Sequence, residues 1–153
     1  MDRSKQIEVV KSWLKDLSAV IGANLTLNED GLCSFQVGGD IIVIEVSQDF
    51  PMVHIYSSLL AMPTNDKELS IALMIRALEL NAFQILTRGG SIALAPGGVF
   101  LMYSVSTPTA DVNSEKFSAI LGAFFESLAE VKKMLLEESG AAAPMNKGAQ
   151  RLS

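Results

Sequence analysis

The stretch from residue 65 to residue 83 decides the fold, and it reads NDKELSIALMIRALELNAF. Asn65 followed by Glu68 three residues later is a capping-box pattern, so a helix is predicted to start here and to run to about Phe83. At about 100° per residue, its apolar side chains point in every direction around the axis. Because such a helix must be covered on more than one side, the stretch predicts a homodimer that packs through it. The alternative is a central helix wrapped by the chain's own sheet.

The residues on either side of this helix predict strands. Before it, residues 24–60 follow a period of two, which predicts an antiparallel meander of three or four strands. Leu25 and Leu27 open the alternating pattern, and turn sequences interrupt it at residues 28–31, 38–40 and 47–51. After the helix, two apolar runs within residues 91–105 flank a Pro-Gly-Gly turn and predict a hairpin.

An amphipathic helix is predicted at each end of this arrangement. The first ends near Gly22, and its apolar stripe consists of Ile7, Val10, Leu14, Leu17 and Ile21. The last runs from about Asn113 to Glu138, and Gly140 ends it. The predicted fold class is therefore α+β, a single domain over residues 1–139 in the order α-βββ(β)-α-ββ-α, with helices packed on an antiparallel twisted sheet. Residues 140–153 are small, polar and unpatterned, which predicts a disordered tail.

Composition and charge exclude several classes of function. The formal net charge is −5, which argues against nucleic acid as a partner because phosphate binding needs clustered basic side chains. Residues 1–21 mix acidic and basic side chains and lack the apolar core of a signal peptide. The uncharged stretch 89–110 is broken by Pro96-Gly97-Gly98, so a hairpin explains it better than a membrane span. With Cys33 as the single cysteine, a reducing, cytoplasmic location is predicted.

The sequence carries no signature of catalysis or metal binding. His54 is the single histidine and lies in an apolar strand, where a histidine bonded to a neighbour is the commoner situation. With one histidine and one cysteine, a zinc site would depend mainly on carboxylates, which is atypical. The glycine pairs lack the spacing of a phosphate-binding loop. We therefore predict no enzyme activity, no metal and no cofactor.

Apolar residues remain available for a binding surface. Residues 41–44 and 51–55 are apolar on both faces of their strands, so both faces of the sheet need cover. A sheet sandwiched by helices of its own subunit and a protein-binding groove fit this pattern equally well. The predicted partner-binding residues are Leu14, Leu17, Cys33, Phe35, Ile42, Ile44, Val53 and Ile55. The predicted dimer contacts are Leu69, Leu73, Arg76, Leu80 and Phe83.

The order of elements and several local segments resemble the class I type III secretion chaperones, in particular the Tir-chaperone group. The resemblance covers about residues 5–138. Its sharpest local point is the first hairpin, Asn28-Glu29-Asp30-Gly31-Leu32-Cys33-Ser34-Phe35. Further agreement comes from Met62-Pro63, Leu80-Asn81-Ala82-Phe83 and Gly89-Gly90. None of these segments is a catalytic signature.

The resemblance implies a homodimer of small α/β subunits in the bacterial cytoplasm. Such a dimer binds the N-terminal chaperone-binding segment of a secreted effector in a non-globular form, seated in hydrophobic patches and partly held by strand addition. The effector is thereby kept soluble and secretion-competent and is guided to the export apparatus, whose ATPase is a further expected partner.

Two other functions remain open from the sequence. A small homodimeric ligand-binding protein or thioesterase-like enzyme would use Asp or Glu with His54 around an apolar tunnel. A structural interaction protein or sensor adaptor would bind a folded domain instead of an extended chain.

Overall fold

The structure is a computed structural model that describes residues 2–137. The predicted tail, residues 140–153, and the predicted helix end at Gly140 lie outside the described residues. The elements in chain order are α1 (Arg3–Ile21), β1 (Leu32–Val37), β2 (Asp40–Val46), β3 (Met52–Ala61), α2 (Lys67–Asn81), α3 (Gln84–Thr87), β4 (Ser91–Leu94), β5 (Phe100–Pro108) and α4 (Ser114–Glu137). This order confirms the predicted α+β class with three strands before α2. The single turn α3 is an addition to the predicted order.

The five strands form one antiparallel sheet in the order β1-β2-β3-β5-β4. Cys33 of β1 lies opposite Ile44 of β2, and Phe35 lies opposite Ile42. Ile44 in turn lies opposite Ile55 of β3. β1 and β4 are therefore the edge strands, each with one neighbour in the sheet.

The segment between α1 and β1 differs from the prediction. Leu25 and Leu27 are predicted to open the meander, but the first strand begins at Leu32. The Asn28 side chain accepts hydrogen bonds from the N–H groups of Asp30 and Leu32, each at 2.9 Å, and this local turn replaces strand pairing. Leu25 is 5% exposed although it lies outside any strand. The alternation of the two leucines therefore indicates burial and not strand pairing.

The described residues form two compact units. Unit 1 contains residues 2–57 and 104–125, and unit 2 contains residues 58–103 and 126–137. β3, β5 and α4 each contribute residues to both units.

In unit 1, α1 and the first half of α4 cover one face of the sheet. Trp13 of α1 stacks on Phe117 of α4 with ring centroids 5.0 Å apart, and Phe35 meets Phe125 edge to face at 6.4 Å. Trp13 is 3% exposed and belongs to the core. The strand residues on the covered face have no exposed surface, and they are Ile42, Ile44, Val46, Val53 and Ile55.

In unit 2, α2 is capped by Asp66 and not by Asn65. The Asp66 carboxylate accepts a hydrogen bond from the Leu69 N–H at 3.0 Å, which satisfies one of the free donors of the first turn. Asn and Asp are equally good caps, so the sequence pattern does not choose between two such neighbours. Leu73 and Leu80 of this helix face the interior of the unit, with 2% and 0% exposure.

Candidate functional site

β1 offers an edge to which another chain can add. It pairs with β2, and no strand of the described residues lies on its other side, although both main-chain groups of its first residue, Leu32, are bonded to Asn28. An edge strand presents main-chain N–H and C=O groups that an extended chain can bind. Phe35 on this strand is half-buried, and the β1–β2 hairpin exposes Val37 and Ile41. This edge therefore combines available main-chain groups with accessible apolar side chains.

Seven of the eight predicted partner-binding residues are buried within unit 1. Each is 6% exposed or less, and they are Leu14, Leu17, Cys33, Ile42, Ile44, Val53 and Ile55. They form the covered face of the sheet and the α1 face that packs on it. They therefore stabilise unit 1 and are not accessible to a partner. Phe35 is the member of the set with accessible surface.

Burial also decides the chemistry of Cys33. Desolvation raises the pKa of its thiol, and a hydrogen bond from the main chain of Thr26 offsets part of that rise. A buried thiol with a raised pKa stays neutral and packs as a small apolar group. Cys33 is thus a structural residue and not an activated nucleophile.

In unit 2, the two sides of α2 differ in exposure. Leu73 and Leu80 face the interior, whereas Ile71, Ile75 and Leu78 are 43%, 52% and 70% exposed. The exposed three are spaced by four and then three residues, so they form one stripe along the helix. We call them the α2 stripe. Their exposure shows why the helix is apolar all round: its own unit covers one side and leaves the other free.

Four of the five predicted dimer contacts lie on α2, and the fifth, Phe83, lies after its end. Leu73 and Leu80 are interior, Leu69 and Arg76 are half-buried, and Phe83 is exposed. None of the three residues of the α2 stripe is in the predicted set. A helix that is apolar in every direction has no polar side to show which of its faces points outward.

Arg76 is held by its own unit. Its Nε donates to the Met134 carbonyl in α4 at 3.4 Å, and its Nη1 pairs with Glu79 at 3.4 Å. Arg76 therefore fastens α2 to α4.

Other exposed apolar side chains of unit 2 lie outside α2 and are absent from the predicted set. Ile85 of α3 is the most exposed at 85%. The β4–β5 hairpin adds Leu94, Val99 and Phe100. The uncharged sequence of this hairpin could have indicated these residues. Its two strands are apolar and contain too few polar residues to form a solvent-exposed face.

The uncovered face of the sheet in unit 1 carries a polar cluster. His54 Nδ1 lies 2.7 Å from Ser106 Oγ, and the Tyr56 hydroxyl donates to the Glu45 carboxylate at 2.9 Å. Burial, together with the hydrogen bond and the charge of Glu45, raises the pKa of Tyr56 to about 12. Within residues 2–137 no hydrogen bond joins His54 to a carboxylate, as the serine–histidine–carboxylate chain of acyl transfer requires. The pairs link neighbouring strands.

Neither a metal centre nor a membrane segment has a candidate within residues 2–137. No group of three or more His, Cys, Asp or Glu in this range could hold a metal ion. No helix in the same range is long and apolar enough to cross a membrane.

The chain matches the model of a known protein family. A model of the Tir chaperone protein (CesT) family matches residues 12–132. The matched range begins within α1 and ends within α4, so it contains every strand of the sheet. A comparison with curated protein sequences gives no match.

Three solved structures of similar fold are of protein complexes. One is the ExsC–ExsE complex, at 13% identity and a TM-score of 0.73, with 88% of this chain and 97% of that chain covered. A second is the HopA1–SchA chaperone–effector complex, at 13% identity and a TM-score of 0.64, with 85% and 97% covered. A third is the heterodimeric ExoU–SpcU complex from the type III secretion system of Pseudomonas aeruginosa, at 15% identity and a TM-score of 0.58, with 82% and 96% covered. At these identities the likeness is one of fold.

Proposed function

Because this chain belongs to the Tir chaperone protein (CesT) family, we propose that it is a bacterial cytoplasmic chaperone for a type III secreted effector. It binds the N-terminal chaperone-binding segment of that effector, keeps the effector soluble and secretion-competent, and guides it to the export apparatus. The observation that carries this proposal is the family match over residues 12–132. The similar folds in the HopA1–SchA and ExoU–SpcU complexes support it.

The part of the β1 edge that follows Leu32 is the proposed place where the effector segment adds as a strand. Main-chain hydrogen bonds along such an edge supply affinity that does not depend on sequence, and side-chain pockets supply specificity. Phe35 and Val37 project from this strand with accessible surface. An extended effector segment would therefore bond to the β1 main chain and place apolar side chains on Phe35 and Val37.

The buried residues of the predicted set act indirectly in this proposal. Ile42, Ile44, Val53 and Ile55 hold β2 and β3 against the helices of unit 1, and β1 is registered on β2. A polar replacement among them would place an unsatisfied group in the core and unfold the unit. Effector binding should therefore be tested at Phe35 and Val37.

A second copy of the chain is the proposed cover for the α2 stripe. Three large aliphatic side chains in line, each more than 40% exposed, form an apolar patch of the kind that often marks an interaction site. Two copies related by a two-fold axis would bury the same stripe on each side. A segment that is ordered only on binding needs a large contact area to offset its lost chain entropy, and a dimer supplies that area.

We propose that the protein carries out this task without catalysis. Its cysteine is a buried structural thiol, and its histidine is paired with Ser106 on an open sheet face. Binding and release of a protein chain account for the exposed apolar surfaces without a reaction step.

Comparison of two phenylalanine variants tests the proposed function. Full-length wild type, Phe35→Ser and Phe50→Ser are purified gently from the native cytoplasm, and the bound proteins are identified by mass spectrometry. Phe50 is the matched control because its ring is 65% exposed on a loop outside β1. We expect the wild type and Phe50→Ser to retain a larger secreted protein and Phe35→Ser to lose it.

A second variant separates lost binding from lost folding. Val37→Asp changes a side chain that is 44% exposed, so the fold should remain while the effector is lost. Thermal unfolding of the purified variants checks the fold. A wild-type protein that carries no secreted partner in actively secreting cells would contradict the proposal.

A further inference from the structure

An open pocket beside α1 has a composition that suits one kind of peptide. The helix ridge of Lys11, Lys15 and Ser18 forms one wall, and the extended segment of residues 24–27 forms the other. The pocket encloses about 420 Å³. All of its lining belongs to unit 1. We call it the lysine pocket.

The pocket is built by fixed hydrogen bonds. Gly22 takes up a left-handed φ of 71° and turns the chain back along α1. Ser18 Oγ donates to the Leu14 carbonyl at 2.6 Å and accepts from the Leu25 N–H at 2.9 Å, which ties the returning segment to the helix. The Thr26 main chain is bonded to Cys33. The wall is therefore held at two points before any partner arrives.

The same wall leaves main-chain groups available. Within residues 2–137 the structure gives no hydrogen-bond partner to the Leu27 N–H or to the carbonyls of Thr26 and Leu27. Thr26 is exposed and Leu27 half-buried, so these groups are within reach of another chain. An extended peptide can bond to them as it would to an edge strand.

The charge at the rim is opposite to that of the protein as a whole. Lys11 is paired with Glu8 at 3.3 Å, and both side chains are exposed. Within the described part of the chain no ion pair is formed by Lys15, and the neighbouring Asp16 carboxylate is engaged by Ser114. The chain has a net charge of −5, so the Lys15 ammonium, which forms no ion pair within residues 2–137 and lies beside an apolar pocket, is a local exception.

We propose that the lysine pocket selects, in the partner segment, an apolar side chain with an aspartate or glutamate beside it, and that Lys15 determines this choice. The inference rests on the proposed function, because it specifies the effector segment that the chaperone binds. The apolar side chain enters the pocket over Leu25, the extended main chain bonds to residues 26 and 27, and the carboxylate contacts the Lys15 ammonium. Lys11 contributes less, because Glu8 pairs with its ammonium.

Selection from a random-peptide library tests the proposal on the full-length chain. The probes are the displayed peptides themselves, and the bait is the wild type, Lys15→Glu or Lys133→Glu. Lys133 is the control because it is exposed on α4, outside the pocket lining, and its replacement makes the same change in net charge. We expect the wild type and Lys133→Glu to enrich peptides with an acidic residue next to an apolar one. With Lys15→Glu, the affinity for those peptides should fall about three- to tenfold.

The outcomes separate this inference from the proposed function. The inference is overturned if Lys15→Glu enriches acidic peptides as strongly as the wild type does. It is also overturned if the wild type enriches no acidic peptides while a secreted effector still co-purifies. Either result leaves the proposed chaperone function unchanged. Acidic enrichment that depends on Lys15 in a protein that carries no effector in secreting cells would support the pocket and contradict the chaperone function.

Discussion

The side-chain amide of Asn81 bonds both main-chain groups of Ile92. Its Nδ2 donates to the Ile92 carbonyl at 2.7 Å, and its Oδ1 accepts from the Ile92 N–H at 2.8 Å. Asn81 is the last residue of α2, and Ile92 lies in the edge strand β4. The amide thus occupies the place of a further strand and satisfies groups that an edge would otherwise expose.

Replacing Asn81 by Asp should destabilise the fold. The carboxylate still accepts from the Ile92 N–H, but it cannot donate to the Ile92 carbonyl and repels it. We expect a loss of about 2 kcal/mol in the free energy of unfolding, measured by urea denaturation at neutral pH. Asn65→Asp, at an exposed position outside the helix, is the control and should change stability little. Equal urea midpoints for the two variants would show that the Asn81 amide contributes no stability.

Gly90→Ala should also destabilise unit 2. A Cβ at this position would lie 2.5 Å from the ring carbon Cζ and the hydroxyl oxygen of Tyr103. Tyr103 has no exposed surface and its hydroxyl donates to the Thr87 carbonyl at 2.6 Å, so the ring cannot move without losing that bond. We expect a cost of about 1–3 kcal/mol in thermal or urea unfolding. Gly39→Ala, where nothing lies within 4 Å, should leave the midpoint nearly unchanged, and an equal loss there would contradict the explanation.

Leu78→Glu should convert the proposed dimer to a monomer. The side chain is 70% exposed on the α2 stripe, so a charge there leaves the chain folded but places two carboxylates in a two-fold interface. Light scattering at micromolar concentration should report twice 16.4 kDa for the wild type and 16.4 kDa for the variant. Val20→Glu is the control, since Val20 is 81% exposed on α1, and it should remain dimeric. A wild type that is itself monomeric would remove the dimer from the proposal.

The raised pKa of Tyr56 predicts that the folded protein loses stability at high pH. Burial and Glu45 raise the pKa of Tyr56 from 10.0 to about 12, so the folded protein keeps a proton that the unfolded chain releases. The folded state therefore binds more protons between these values, and stability falls as the pH rises through the window. Glu45→Gln should lower the pKa of Tyr56, which the ultraviolet absorbance of tyrosinate would follow in a Tyr103→Phe background. The exposed carboxylate Glu29 gives the control Glu29→Gln, and an equal shift in both variants would contradict the assigned partner.

The periodicity of the sequence was sufficient for the helices and most strands because burial follows it closely. Val10, Leu14 and Leu17 lie on the buried side of α1 as their spacing predicts, whereas Ile21 at the end of the predicted stripe is 49% exposed. The alternation of Leu25 and Leu27 was misleading, because Asn28 satisfies the main chain locally and no ladder forms. The bonds between Asn81 and Ile92 join residues from two separate elements, so local sequence rules do not predict them.

The candidate site was less predictable than the fold. An apolar residue such as Ile44 or Leu78 has the same sequence signature whether its own chain or a partner covers it. Ile44 has no exposed surface and Leu78 is 70% exposed, and only the packing distinguishes them. The lysine pocket depends on the return of residues 24–27 along α1, which follows from the Gly22 turn and the Ser18 bonds.

Limited proteolysis of the complex purified from native cytoplasm tests the central claim most directly. The bound effector is digested in place, and the protected fragment is identified by mass spectrometry together with its stoichiometry. If the protein is a chaperone for an extended chain, we expect one protected segment near the effector's N-terminus, at one copy per dimer. The rest of the effector should be cleaved. Protection of a folded domain elsewhere in the partner, or a dimer that carries only a small molecule, would contradict the account.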